Sequence, residues 1–217
     1  MSRVILCMTS TAARNGRRGE TITSLRAQSV QPDDIRLYAD EAVVETEIDL
    51  HPAIDRGPLT KLSAVADPSV HDDDLIITVD DDIIYEPRWL ETLLAAPGVN
   101  QLAATGRSGW NVNDFLRDEH WSFYVWVSED GPCDVVEGWA GAAYRKSFFH
   151  ADVLEPPPEY KLVDDVWISG YLHRRGIARR IVTPHMAAER PNNTPGLHNR
   201  PDFLKLNRRA ARMAFAP

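Results

Sequence analysis

Leu75-Ile76-Ile77-Thr78-Val79-Asp80-Asp81-Asp82 sets an apolar, β-branched run against three consecutive carboxylates. Such a run reads as a strand buried on both faces, the kind found inside a parallel sheet. The aspartates then stand at the carboxyl end of that strand, where open α/β sheets bind their ligands. Three adjacent like charges repel one another, so a fold that keeps them there must offset them. A divalent cation with a preference for hard oxygen donors does so. Solvent around an acidic turn also does, although acidic turns seldom follow so apolar a strand.

Outward from this run, strands alternate with helices. Val4 to Met8 reads as the first strand, Thr9 to Gly19 as a polar loop, and Thr21 to Gln28 as a helix with Ile22 and Leu25 on one face. Ile35 to Ala39 is a second strand, and Thr46 to Leu50 a possible third. Pro58 stands at a first helical position before the buried spacing of Leu59, Leu62, Val65 and Ala66. Pro87 opens a helix with Leu90, Leu93 and Leu94 inward and Gly98 beyond its end. Leu102 to Thr105 is a short strand, Trp121 to Val127 is aromatic and β-prone, and Val135 to Tyr144 carries two glycines and a tryptophan. Asp164 or Asp165 caps a helix that runs to Arg175 and stops at Gly176. Ile177 to Val182 is the last strand, and Phe203 to Phe215 a basic helix. The alternation predicts an α/β fold with a mostly parallel central sheet and helices on both faces.

Composition narrows the function classes. The 217 residues are 43% hydrophobic and carry a net charge of −8, with a pI near 5.3. An acidic chain is a poor partner for nucleic acid or an anionic membrane over its surface as a whole. Cys7 and Cys133 are isolated, and Cys7 falls within the first strand as a small core residue. No apolar stretch approaches the roughly 18 residues of a membrane span, and no signal peptide is evident. The expectation is a soluble cytoplasmic protein, which two cysteines in a reducing compartment also fit.

The order of elements and the triplet together resemble the GT-A class of nucleotide-sugar glycosyltransferases. The residues that carry the resemblance are Thr9-Ser10 with Arg14, then Thr23-Ser24-Leu25-Arg26-Ala27-Gln28; Gly57-Pro58-Leu59-Thr60-Lys61-Leu62; Thr78 to Tyr85 as a DxD motif; Gly138-Trp139-Ala140-Gly141-Ala142; and Asp164-Asp165-Val166. They span about residues 3 to 183 and sit nearest the family 2-like bacterial enzymes, with a late part similar to exostosin-like catalytic domains. The resemblance implies one Rossmann-like GT-A domain over residues 1–217. A nucleotide-sugar donor half would run to about 105, an acceptor half over about 106–183, and a flap with the basic helix over about 184–217.

The resemblance also implies roles. Asp82, with Asp80, would hold Mn²⁺ or Mg²⁺, and Asp80 or Asp81 would contact ribose. Side-chain alternation on a strand would point Asp80 and Asp82 one way and Asp81 the other. Thr9 and Ser10 offer hydroxyls to the donor, and Arg14, Arg17 and Arg18 offer cationic forks for phosphate. Asp40 would meet the base edge, unless it serves as a turn residue. Lys61 is a phosphate or ribose contact or a snorkelling surface lysine. Trp139 and Gly141 would form the acceptor side, with Trp139 as a flat platform for a sugar ring, unless Trp139 is a core residue.

Asp165 would take the proton from the attacking hydroxyl, kept ionised by the helix dipole, with Asp164 as the cap. Some GT-A enzymes place a further metal-ligating histidine after the last strand, where His185 and His198 stand, but the sequence around them matches no such motif, and 192–199 reads instead as a flap over the donor. The implied reaction moves a sugar from a nucleoside-diphosphate sugar, a UDP-sugar first, to a hydroxyl of a glycan or other acceptor, as in surface polysaccharide assembly. A metal-dependent phosphatase and a non-catalytic sugar- or nucleotide-binding relative stay open. A sugar nucleotidyltransferase would need a glycine-rich first loop, and Thr9 to Arg18 holds only Gly16. No GxGxxG supports a dinucleotide-binding dehydrogenase.

Overall fold

The computed structural model describes residues 2–16, 18–100, 103–117, 127, 129–182, 188–189 and 196–216. The chain begins with β1 (Val4–Met8), helix α1 (Gly19–Arg26), β2 (Asp34–Ala39) and β3 (Asp49–Pro52). A 3₁₀ helix (Leu59–Ala66) leads into β4 (Leu75–Thr78), β5 (Ile84–Tyr85), α2 (Trp89–Ala95) and α3 (Pro97–Asn100). Then come β6 (Ala104–Gly106), β7 (Gly109–Trp110), α4 (Val112–Arg117), β8 (Gly131–Pro132), β9 (Val135–Val136) and β10 (Ala142–Arg145). Helix α5 (Asp164–Arg174), β11 (Arg179–Ile181), β12 (Ala188–Glu189) and α6 (Phe203–Ala214) complete the order.

Eight strands form the main sheet, in the order β3-β2-β1-β4-β10-β6-β11-β8. β3, β2, β1 and β4 run parallel, as do β6 and β11. β10 enters antiparallel between β4 and β6, with Ala142 opposite Thr78. The alternation of the early strands therefore yields a parallel half as predicted. The reversed strand falls at the end of Val135 to Tyr144, which the sequence marks by its glycines and tryptophan and not by a strand pattern.

β1 is apolar throughout because both faces of the sheet are covered. Ile5 and Cys7, with Ile76 of β4 and Tyr144 of β10, face a core closed by the 3₁₀ helix, α5 and α6. Leu6 and Met8, with Leu37 and Ile77, face a second core closed by α1 and α2 through Leu25, Trp89, Leu90 and Leu93. Each such side chain, fully buried, contributes roughly 1.5–3 kcal/mol. This explains why Leu75 to Val79 tolerates no polar position except Thr78, which is itself fully buried. Arg3 and Asp74 lock the other end of β1 and β4, with Arg3 Nε at 3.1 Å from Asp74 Oδ2 and the Arg3 amide at 2.9 Å from Asp74 Oδ1.

Among the described residues no helix is long and apolar enough to cross a membrane. Trp121 to Trp126, Leu102, His185 and residues 192–195 of the expected flap lie outside the described residues.

Candidate active site at the carboxyl ends of β1 and β4

β4 stops at Thr78, and Asp81 and Asp82 form a turn before β5. The strand alternation expected to pair Asp80 with Asp82 therefore does not operate. Two cations divide the triplet instead. Arg14, from the short 3₁₀ turn after β1, pairs with Asp81 and reaches Asp82 Oδ2 at 3.2 Å. Lys61 takes Asp80, with Nζ at 2.9 Å from Oδ1. Asp81 also accepts a hydrogen bond from Ser10 Oγ, and its carbonyl accepts one from Thr21 at 3.2 Å. Burial pushes the Asp81 carboxyl up from its ordinary value, against the pull of Ser10 and Arg14.

Arg18 was expected to offer a phosphate fork. It is buried and committed internally: it donates to Glu45 at 3.0 Å, to the Val44 carbonyl at 2.5 Å and to Ser10 Oγ at 3.0 Å. Arg17 lies outside the described residues. Thr9 is half-buried beside Ser10. Asp40 is an exposed turn residue whose Oδ1 accepts the Ala42 amide at 3.0 Å, which is the simpler of its two expected roles.

The residues expected on the acceptor side arrive from two other segments. Because β10 runs antiparallel to β4, the turn that feeds it, Gly138 to Gly141, lies at the same sheet edge as the triplet. Asp164 and Asp165 open α5, but neither caps it. The cap position is Val163 and no side chain bonds there. Asp165 Oδ1 instead accepts the Gly138 amide at 2.9 Å. Asp164 Oδ2 lies 3.2 Å from Lys61 Nζ, close enough for an ion pair but without hydrogen-bond geometry. The helix dipole was expected to keep Asp165 ionised, and its surroundings act in the opposite direction. Burial, and then the neighbouring Asp164, push the Asp165 carboxyl well above the ordinary carboxylate range, and Lys61 offsets only part of this.

Lys61 is not a surface lysine: it is 3% exposed, and its ammonium faces Asp80 and Asp164. Burial works against its charge, but Asp164, Asp80 and Asp165 outweigh it and hold the ammonium well above the ordinary lysine pKa.

Trp139 is half-buried, and its Nε1 donates to Glu137 Oε2 at 3.0 Å. Glu137 is buried and accepts a second bond from Ser108 Oγ at 2.5 Å. Glu137 was missed in the sequence, although an acid directly before a Gly-Trp pair was a usable signal. Gly141 has φ +93°, and a Cβ there would sit 2.1 Å from Trp89 Cζ2. Its lack of a side chain serves the packing of Trp89, whose Nε1 donates to the Ala140 carbonyl at 2.7 Å. Tyr85 ties the two sides together: its hydroxyl accepts the Asp80 amide at 3.0 Å and donates to the Trp139 carbonyl at 3.0 Å.

No group of three or more His, Cys, Asp or Glu side chains converges to hold a metal among the described residues. His185 and the side chain of His198 lie outside them. Asp82 and Asp80, the two carboxylates expected to hold a hard cation, face Arg14 and Lys61 respectively. One or two carboxylates are the usual protein share when substrate phosphates complete a Mg²⁺ shell.

The sheet order, the helices on both faces and the convergence of side chains at one sheet edge define a Rossmann-like α/β protein. Solved structures bear this out for the fold. The chain is similar to the crystal structure of 4-diphosphocytidyl-2C-methyl-D-erythritol synthase, with a TM-score of 0.59 at 10% identity, over 97% of this chain and 98% of that one. No protein-family model and no curated protein sequence matches the chain.

Proposed function

We propose that the protein is a glycosyltransferase that moves a sugar from a nucleoside-diphosphate sugar to a hydroxyl acceptor. The observation that supports this most is the meeting of two carboxylate sets at one sheet edge. Asp80, Asp81 and Asp82 stand with Arg14 on one side, and Asp164 and Asp165 stand with Trp139 on the other, joined through Lys61. Sugar transfer needs both sides: charge grows on a leaving diphosphate while an attacking hydroxyl loses a proton.

Asp82 and Asp80 would hold Mn²⁺ or Mg²⁺, and that cation, when bound, would offset charge on the diphosphate. Arg14 is placed to do the same with its guanidinium, and Ser10 and Thr9 line the approach. Asp165 is the acceptor-side base. Its raised pKa makes it the stronger proton acceptor once ionised, and a base titrating nearer neutrality than a free carboxylate suits this task. Trp139, its indole fixed by Glu137, offers a face to the acceptor sugar. The reading takes residues 1–217 as one catalytic domain working in the cytoplasm.

A second reading, nucleotidyl transfer, draws on the similar structure, which is named as the synthase of a diphosphocytidyl compound. The first loop, with Gly16 as its only glycine between Thr9 and Arg18, argues against it.

Calorimetry with nucleoside diphosphates, UDP first, tests the proposal. Binding should tighten when Mn²⁺ or Mg²⁺ replaces chelator, and a UDP-sugar should be consumed with release of UDP. Equal affinity in both conditions removes the metal, and pyrophosphate release from a nucleoside triphosphate favours the second reading.

A further inference from the structure

Four segments distant in sequence meet at one buried nitrogen. Lys61 leaves the middle of a 3₁₀ helix in which Leu59 to Val65 are all buried. Its Nζ lies 2.9 Å from Asp80 Oδ1, in the turn after β4, and 3.2 Å from Asp164 Oδ2, at the start of α5. Gly138 forms the adjoining wall: a Cβ there would sit 2.9 Å from Lys61 Nζ, 3.2 Å from Asp165 Oδ1 and 3.3 Å from Lys61 Cε. The ammonium thus fills a slot that exists because residue 138 has no side chain.

We propose that Lys61 is a positioning residue, a fixed internal cation that ties donor-side Asp80 to acceptor-side Asp164 and so presents Asp165 to the acceptor. The inference rests on the reading of Asp165 as the base. Asp164 and Asp165 are adjacent at the start of α5, so holding one sets the direction of the other. Lys61 draws Asp164 inward, and the Gly138 amide holds Asp165 by Oδ1. Asp165 Oδ2 makes no hydrogen bond among the described residues and is the oxygen left to meet a substrate proton. A donor phosphate could recruit the ammonium only by drawing out a side chain that is itself 4% exposed and pulling it away from both carboxylates. Lys61 therefore acts through Asp165 and does not touch the donor.

Three variants test this: Lys61→Met, Lys61→Arg, and Lys61→Met combined with Asp164→Asn. Lys61→Met should lower the melting temperature by several degrees, and the added Asp164→Asn should recover at least about half of the loss, the signature of coupled neighbours. The double variant should bind UDP within about twofold of the parent, while turnover falls about tenfold or more at nearly unchanged donor KM. Lys61→Arg should fold, bind UDP like the parent and turn over slowly, because a longer planar head displaces Asp164.

A double variant that loses UDP affinity more than about tenfold makes Lys61 a donor ligand and overturns the proposal. Absence of thermal recovery in the double variant removes the ion link. Parent turnover in Lys61→Met, or in Lys61→Arg where the methionine variant does not fold, removes the positioning role. If the parent itself binds no nucleoside diphosphate, the glycosyltransferase reading fails, while the melting temperatures still decide whether Lys61 joins the two sides.

Discussion

Asp165 is the residue on which stability and chemistry pull in opposite directions. Its folded carboxyl holds a proton more tightly than the unfolded one, because it is buried beside Asp164 and Glu137. The native state then binds more protons than the unfolded state above the ordinary carboxylate pKa, so stability falls as pH rises from there toward the raised folded value. Below the ordinary value both states are protonated and nothing is gained. Asp165→Asn cannot ionise and keeps an oxygen for the Gly138 amide. It should melt higher than the parent at neutral pH, with the difference closing toward pH 4, in thermal denaturation across pH. Its turnover should drop by about 10²–10⁴-fold with donor affinity little changed. In the parent, the proposed role of Asp165 as base predicts that turnover climbs with pH through the same raised pKa, because only the ionised carboxylate can accept the proton.

Arg14 makes a second prediction at this scale. Arg14→Ala strands the buried Asp81 carboxylate and should cost on the order of 3 kcal/mol in denaturant unfolding. The same change frees Asp82, so Mn²⁺ measured without nucleotide should bind more tightly than to the parent. Unchanged Mn²⁺ affinity would mean that Arg14 does not compete for Asp82.

Among the elements, those built from local pattern were legible in the sequence and those built from distant partners were not. β1 and β4 were found because runs such as Val4 to Met8 are apolar on both faces. α6 was legible as a basic helix over Phe203 to Phe215, and its buried Ala210, Ala211 and Ala214 follow helical spacing. β10 is only Ala142–Arg145, with no β-branched residue, and its strand character comes from lying between β4 and β6. Asp164 and Asp165 look like caps by residue preference, yet tertiary partners at Lys61 and Gly138 claim them. The burial of Lys61 had no local signal, since its two carboxylates come from other elements.

Contact between α5 and α6 yields a prediction against the usual rule. Alanine normally stabilises a helix interior by about 0.5–1 kcal/mol over glycine. At Gly170 a Cβ would meet the Ala214 Cβ at 2.6 Å, and overpacking of that kind costs about 1–3 kcal/mol. Gly170→Ala should therefore destabilise the protein in denaturant melts. A stabilised variant would show that α6 can shift outward at little cost.

At the scale of the whole molecule, acid sensitivity should begin far from the site. Burial favours the neutral acid at Asp74 and Asp67, but hydrogen bonds from Arg3 and the His71 amide at one, and from Ser69 and Tyr38 at the other, bring both down to about 2. Depressed pKa values contribute stability above the ordinary carboxylate range, and it is lost as pH falls toward 2. Melting temperature should drop steeply below about pH 4. Asp74→Asn should melt lower than the parent at pH 7 and converge with it near pH 2.

The reversed strand has one more consequence, for the order of assembly. β1 to β4 come from the first part of the chain and can close their parallel pairings before the rest is available. β10 must find β4 at a sequence separation of 64, as the Thr78 to Ala142 contact shows. Long loops close late and slowly. Until they do, the turn carrying Glu137, Gly138 and Trp139 is absent, Lys61 lacks its glycine wall, and Asp165 lacks its amide. A folding chain thus gathers its acidic triplet early and completes its reactive edge in the closing step. In pulsed hydrogen exchange during refolding, the amides of β10 and Gly138 should gain protection after those of β1 and β2.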